Sequence, residues 1–147
     1  MSAIRDWFAR QVVKPTRYGS GGPYEEVWGY SRVVRAGKLA WTAGTTAVVD
    51  GELQGVGDPG LQTTIALEQA VAALARAGVS REYVVQSRLY VVDVEANAEA
   101  VGRAHANVLG DVKPAAALIG VTGLADPRML VEVELTASPG RRLRGQR

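Results

Sequence analysis

The chain has 147 residues, of which 47% are apolar and 22% are charged, and these values are typical of a single compact domain with room for a core. The absence of cysteine excludes disulfides, thiolate metal sites and cysteine nucleophiles, and the one histidine leaves few routes to a Ser-His-Asp triad or a histidine-rich metal site. Four arginines in the last ten residues exceed the net charge of +2, so the body is mildly acidic and the charge does not favour nucleic-acid binding.

No apolar run reaches the roughly 18 residues that a membrane span requires, and the N-terminal residues lack the apolar segment of a signal peptide. We therefore expect a cytoplasmic protein with no membrane contact, no metal and no other cofactor.

Residues 1–23 are predicted to form an arm and a linker. The arm carries four apolar residues at helical spacing before Pro15, namely Ile4, Trp7, Phe8 and Val12. A helix that packs on the body or on a neighbouring subunit is favoured over a membrane-surface helix, because its polar side is only modestly basic. At the other end, residues 138–147 are predicted to be a basic, disordered tail.

The first part of the domain is predicted to contain two strands, Glu26–Val34 and Leu39–Thr46, joined by a turn. In the first strand, alternation would place Tyr30, Arg32 and Val34 on one face. Asp50-Gly51 marks a further turn. Residues 55–60 formally satisfy G-x-G-x-x-G, but no buried strand of adequate length precedes them, so a loop is favoured over a dinucleotide site.

A helix is predicted from Leu61 to Ala77, with Gly78 as its C-cap. Its apolar stripe consists of Thr63, Ala66, Leu67, Ala70, Leu74 and Ala77. The opposite face would carry Gln62, Glu68, Gln69 and Arg76. The many alanines indicate a close approach of the helix to a sheet.

A strand from Val84 to Val92 and a helix from about Ala98 to Leu109 follow. The strand alternates between Val85, Ser87, Leu89 and Val91 on one face and Gln86, Arg88 and Tyr90 on the other. The apolar stripe of the helix contains Val101, Ala104, Val108 and Leu109. His105 lies near the middle of this stripe and is interpreted as a packing residue, with a catalytic role as the alternative.

The last part of the domain is predicted to be two strands, Ala115–Val121 and Met129–Leu135, separated by a turn at Asp126-Pro127. In the second strand, Glu132 and Glu134 share a face that must contact water, a ligand or another subunit. The whole order predicts an α+β domain with both helices on one face of the sheet. Polar residues on the other face indicate subunit association with clefts between the copies.

From Tyr24 to Ala137 this order and spacing resemble the Rid family (YjgF, reactive intermediate deaminase, also labelled endoribonuclease L-PSP). The matching segments are Gly29-Tyr30, Thr42-Ala43-Gly44, Gln62-Thr63, Leu74–Gly78, Val84–Asp93 and the final V-E-V-E strand. The resemblance implies one domain over residues 24–137 with the chorismate-mutase-like fold, a mixed six-stranded sheet and two helices on one face. It also implies a homotrimer with small-molecule pockets at the subunit boundaries.

Deaminase members of that family bind a 2-imino or 2-enamino acid, clamp its carboxylate with an arginine and add water to the imine carbon. Tyr30, Gly44 and Glu132 match pocket positions of the family. Gly102, Ala116 and Leu118 depart from it, and Ala116 stands where the arginine is expected.

The lost arginine raises the question of which cation replaces it. Arg88 is the first candidate and Arg32 the second, and for each a surface or interface ion pair is the alternative. Glu132 is predicted to be a general base, or else the partner of Arg88 in an ion pair between subunits. Thr45 would contact the ligand or simply finish its strand.

Three functions remain open from the sequence. The first is an imine or enamine deaminase, or a related hydrolase, that binds any carboxylate differently. The second is a small-molecule-binding trimer that is non-catalytic or has another chemistry. The third, RNA binding or cleavage, is disfavoured because the body is acidic and no aromatic and basic strand motif is present.

Overall fold

The computed structural model describes residues 14–139, in which one mixed six-stranded sheet carries two long helices. The strands are β1 (Thr16–Tyr18), β2 (Val33–Ala36), β3 (Leu39–Thr42), β4 (Val48–Val49), β5 (Glu52–Leu53), β6 (Val84–Val92), β7 (Ala115–Val121) and β8 (Val131–Ala137). The helices are α1 (Pro23–Trp28), α2 (Pro59–Arg76) and α3 (Val94–Leu109), with a 3-10 turn at Arg81–Tyr83.

The strand order in the sheet is β1-β2-β3-β8-β6-β7, and β4 with β5 forms a separate hairpin. Only β6 and β7 are parallel among the neighbouring pairs; the others are antiparallel. The predicted α+β class, the mixed six-stranded sheet and the two helices on it are confirmed. The turn predicted at Asp50-Gly51 joins the small hairpin, with φ angles of 51° and 83° at these residues.

Strand β8 shows that the sheet has one apolar, buried face and one polar face. Val131, Val133 and Leu135 are at most 1% exposed and face the core, while Glu132 and Glu134 alternate with them and are half-buried. Strand β6 alternates in the same way, since its Ser87, Leu89 and Val91 are also buried. The central strands therefore bury one face under the helices and turn the other, polar face away.

Helix α2 covers the centre of the sheet through its alanine-rich stripe. All six residues predicted for this stripe are buried. Small side chains let the helix axis approach the sheet closely, and Leu67 and Leu74 fill the remaining space. The helix begins two residues earlier than predicted, because Asp58 accepts a hydrogen bond from the Leu61 backbone N–H at 2.9 Å as its N-cap.

The strand predicted over Glu26–Val34 is wrong in its first part. Helix α1 occupies Pro23–Trp28, because a proline starts it and Gly29, at φ 69°, ends it in the left-handed region. Only from Val33 does the chain join the sheet, so Tyr30 and Arg32 owe their positions to a loop and not to strand alternation. Strand β1 lies within the segment predicted as arm and linker, and it pairs with β2.

Two smaller differences have local causes. Val85 is 46% exposed, because a register shift between Val84 and Gln86 turns it away from the core. Gln62, predicted on the exposed face of α2, is fully buried, because its amide group donates to the Gly55 and Arg128 carbonyls and accepts from the Leu130 N–H. These three bonds satisfy a polar side chain in an apolar layer.

Several other boundaries shift by a few residues. Strand β3 ends at Thr42, and Thr45 forms an isolated bridge to Val133. Helix α3 begins at Val94, four residues before the predicted start, and β8 begins at Val131 rather than Met129. The apolar arm residues and the arginine-rich tail lie outside the described residues. No helix within residues 14–139 has the length and hydropathy to span a membrane.

Candidate functional site

Arg32 is the centre of a cluster at the end of the β2–β3 hairpin. Its Nη1 donates to the Gly44 carbonyl at 2.9 Å and to Thr45 Oγ1 at 3.2 Å, and its Nη2 donates to the Tyr30 hydroxyl at 3.2 Å. Glu25, on α1, holds an oxygen 3.8 Å from Arg32 Nε. The guanidinium therefore connects four residues that come from three separate segments of the chain.

Glu132 joins this cluster from β8. The bridge between Thr45 and Val133, with N–O distances of 2.9 Å in both directions, holds the chain after β3 beside this strand. A Cβ atom at Gly44 would lie 2.5 Å from Glu132 Oε1 and 2.8 Å from Cδ. Only glycine at position 44 leaves room for the carboxylate, so the structure brings Glu132 against the backbone that Arg32 binds. We call Tyr30, Arg32, Gly44, Thr45 and Glu132 the Glu132 cluster.

The environment of Glu132 favours its neutral form. Burial of the carboxyl raises the pKa of Glu132 above its ordinary value, the negative charge of Glu134 adds to this rise, and the positive charge of Arg32 opposes it. A carboxyl whose pKa moves toward neutrality is suited to accept and return a proton near physiological pH.

We expect Gly44→Ala to push the Glu132 carboxylate out of its position and to lower its pKa toward the ordinary value. The clashing atoms are the end of a flexible side chain, so the fold should be kept. The pKa is measured from the side-chain carboxyl carbon signal in NMR, and stability from urea unfolding. Gly123→Ala is the matched control, because a Cβ there meets nothing within 4 Å. An unchanged pKa of Glu132 in Gly44→Ala would contradict the packing argument.

Arg88, the first residue predicted to bind a ligand carboxylate, contacts another group within one copy of the chain. Its Nη1 lies 4.0 Å from Glu134 Oε2, and this same oxygen accepts a hydrogen bond from the Tyr90 hydroxyl at 3.0 Å. The strand register places Arg88 opposite Glu134 and Tyr90 opposite Glu132. Within one copy of the chain, Arg88 therefore pairs with Glu134 and not with Glu132.

A second cluster lies on the other face of the sheet. Ala116 and Leu118 of β7 are in register with Ser87 and Leu89 of β6, so they share the face on which the helices pack. On α3, His105 Nε2 lies 2.9 Å from Ser87 Oγ. Gly102 lies one turn earlier, and a Cβ atom added there would meet nothing within 4 Å. We call Ser87, Gly102, His105, Ala116 and Leu118 the His105 cluster.

The predicted pocket residues thus fall into two groups that one copy of the chain keeps apart. Tyr90 is the register partner of Glu132, whereas Ser87 is the partner of Ala116, and these two β6 residues point to opposite faces. A site that contains both Glu132 and Ala116 therefore requires two copies of the chain.

Sequence reasoning missed two residues, namely Glu25, which contacts Arg32 beside the Glu132 cluster, and Ser87 of the His105 cluster. Glu25 was hidden by the wrong strand prediction around α1. Ser87 was assigned only to an apolar strand face, although a serine there is itself a signal, because a buried hydroxyl needs a partner. Among residues 14–139 no three His, Asp or Glu side chains are grouped as a metal site would need.

Known proteins resemble this chain over the segment that contains both clusters. The family described as Endoribonuclease L-PSP matches residues 24–138, which include both clusters. The uncharacterized protein SCO2049 of Streptomyces coelicolor is 41% identical over 124 residues, which cover 84% of this chain and 92% of that protein.

Solved structures show the same architecture. Rv2704 of Mycobacterium tuberculosis, a member of the YjgF/YER057c/UK114 family, is 37% identical, with a TM-score of 0.76 over 86% of this chain and all of that chain. TdcF of E. coli, solved with bound serine, has a TM-score of 0.69 at 20% identity over 88% of this chain and 98% of its own. At that identity the likeness concerns the fold alone.

Proposed function

Because this chain belongs to the endoribonuclease L-PSP family, the family of YjgF and Rid proteins, we propose that it hydrolyses the C=N bond of a small imine, or of an enamine through its imine form. The observation that carries this proposal is the Glu132 carboxyl, which is held against Gly44 with a raised pKa. A proton acceptor in a confined, partly dry position is what the addition of water to an imine carbon requires.

The proposed reaction uses Glu132 twice. The carboxylate takes a proton from water while the water oxygen bonds to the imine carbon, and Glu132 passes this proton to the imine nitrogen to form a carbinolamine. Glu132 then takes the proton of the carbinolamine hydroxyl and delivers it to the nitrogen as the C–N bond breaks, so that a carbonyl compound and ammonia leave and the carboxylate is restored. Arg32 holds the Gly44 carbonyl and the Tyr30 hydroxyl in place, so the walls of the site are set before the ligand binds.

We further propose that the protein is a cytoplasmic homotrimer, with each pocket between two copies. Two features support this assembly. The Glu132 and His105 clusters lie on opposite faces of the sheet, and neither long helix covers the sheet face that carries Arg88, Tyr90 and Glu134. The Glu132 cluster of one copy would then face the His105 cluster of the next.

The substrate class follows from the position of Ala116. A bidentate guanidinium contact to a carboxylate contributes roughly 1.5–3 kcal/mol, and a methyl group contributes none of it. Without another cation, a carboxylate substrate would bind at least about tenfold more weakly. Neutral imines, or carboxylates held by a different group, are therefore the proposed substrates.

Ammonia release tests this function. Freshly generated 2-aminoacrylate and an imine without a carboxylate are offered to the purified protein at equal concentration. We expect release above the rate in buffer, with the neutral imine preferred at neutral pH. Rates equal to buffer for both compounds, from a protein that is a trimer by sedimentation, would overturn the proposed activity.

A second candidate function is a non-catalytic trimer that binds an apolar or aromatic metabolite. The observation that favours it is Leu118, which is 41% exposed next to the methyl group of Ala116 and gives the His105 cluster an apolar surface. A thermal-shift screen distinguishes the two functions. Stabilisation by apolar ligands without ammonia release supports binding alone, and no stabilisation by any of them argues against it.

A further inference from the structure

His105 is held in a defined position beside the apolar part of the proposed pocket. It is half-buried on α3, and its Nε2 lies 2.9 Å from the Ser87 hydroxyl oxygen. Ser87 is 0% exposed, so its hydroxyl cannot turn to water and remains available to the imidazole. This pair is a buried polar contact that the proposed reaction at Glu132 does not use.

The ring lies near the position where the family resemblance implies a guanidinium. Ser87 and Ala116 are register partners in adjacent parallel strands and face the same side of the sheet, so the group that contacts Ser87 is also close to Ala116. Gly102, one turn before His105, leaves open space on that side of α3. Small residues at 102 and 116 thus leave room for a ligand next to the imidazole.

We infer that His105, oriented by Ser87, is the residue that binds a carboxylate of the ligand, and that it does so when its ring is protonated. This inference rests on the proposed function in one respect, namely that the ligand enters beside Ala116. The site would then have a positive charge on His105 that depends on pH, in place of the permanent charge of an arginine.

The chemistry of serine makes both protonation states possible. When the ring is neutral with its proton on Nδ1, the Ser87 hydroxyl donates to Nε2; when the ring is charged, the Nε2–H donates to the Ser87 oxygen. In either state Ser87 occupies Nε2, so Nδ1 is left for the ligand. An imidazolium Nδ1–H donates a charge-assisted hydrogen bond to a carboxylate oxygen.

The surroundings of the His105 ring favour its neutral form over its charged form. Burial lowers the pKa of His105 from its ordinary value, and the faces of β6 and β7 toward α3 carry no charged residue. Helix α2 meets α3 on the side of Ala100 and Ala104, where Gly60 and Thr64 line a groove that His105 does not line. The described ion pairs on or next to α3 are Arg103 with Glu99, both largely exposed, and Arg81 with Asp111 beyond the end of the helix. In the proposed trimer, Glu132 of the neighbouring copy is the remaining group that titrates near the ligand.

A bound carboxylate should raise the pKa of His105, since it stabilises the charged ring. By linkage, the affinity for the carboxylate then increases as pH falls, by up to about tenfold per pH unit between the free and the bound pKa. Without a carboxylate on the ligand, this dependence should be absent.

The single histidine of the sequence makes a direct experiment possible. Histidine labelled with nitrogen-15 in the full chain reports the protonation and tautomer of His105 alone. Pyruvate is the probe, and acetone, which lacks the carboxylate, is the matched control. The titration covers about pH 5 to about pH 8. We expect pyruvate to move the two ring nitrogen signals toward imidazolium values and to raise the midpoint of the His105 titration. Acetone should do neither.

Variants separate His105 from Glu132. In His105→Gln, pyruvate affinity should lose most of its pH dependence, whereas in Glu132→Gln it should keep it. Ser87→Ala should leave the ring titrating while pyruvate moves its signals less. If the wild-type ring signals ignore pyruvate throughout the pH range, or respond equally to acetone, the inference is wrong. Ammonia release can fail while pyruvate still shifts the His105 titration, and the reverse can also occur. The two experiments therefore distinguish a failure of the proposed activity from a failure of the inference about His105.

Discussion

Replacement of Glu132 by glutamine should lower kcat/KM for imine hydrolysis by about 10²- to 10⁴-fold, the range that general acid-base catalysis contributes. Glutamine keeps the shape of the side chain and its place against Gly44, but it cannot accept a proton from water. The measurement is ammonia release over a range of pH, with the trimer verified for each variant. Binding of an unreactive ligand should be nearly unchanged.

Glu134→Gln is the matched control, because Glu134 follows Glu132 on the same strand face and binds Tyr90 and Arg88 instead. Its negative charge raises the pKa of Glu132. Its removal should therefore keep the activity and move the acidic limb of the pH profile to lower pH. Equal losses in the two variants would show that the strand face needs its charges for assembly and that Glu132 has no special role.

Ala116→Arg should improve kcat/KM for 2-aminoacrylate by at least about tenfold, because a guanidinium restores charge-assisted contacts to the substrate carboxylate. The same change should make pyruvate binding nearly independent of pH, since the new cation does not titrate in the range where His105 does. The neutral imine should gain nothing. Ammonia release and pyruvate titrations at two pH values check both results.

Ala116→Met is the control for this gain, because it supplies a long side chain without charge. Improvement in both variants would indicate a better-filled pocket. Improvement in neither would mean that the ligand does not approach position 116, and it would remove the substrate class proposed here together with the role assigned to His105.

The parts of the fold with strong periodicity could be predicted from the sequence. Strands β6 and β7 have the predicted bounds, and the stripe of α2 is buried as expected, because many residues in each repeat the same pattern. Helix α1 was missed, since six residues are too few to show a helical period and a proline and a glycine set its limits instead. The burial of Gln62 was missed because two of its three partners, Arg128 and Leu130, lie 66 and 68 residues away in the sequence.

The candidate site could be predicted as a set of residues but not as an arrangement. Alternation within a strand follows from the sequence, whereas the register between strands does not, and the register separates Glu132 from Ala116. The roles of Arg32 and Arg88 depend on tertiary contacts: Arg32 contacts Gly44 and Tyr30, while Arg88 pairs with Glu134. The contact between Ser87 and His105 joins β6 to α3. No local sequence pattern shows that these two residues lie close together in space.

Strand β7 ends the sheet on one side, and its residues 115–121 contain no charge and no proline. An uncovered edge of this composition can recruit strands from other molecules and seed aggregates. Contacts that cover this edge would therefore protect the solubility of the protein as well as complete a pocket. Variants that weaken such contacts should then be lost to precipitation at high concentration, and their low yield should not be taken as evidence for a damaged catalytic group.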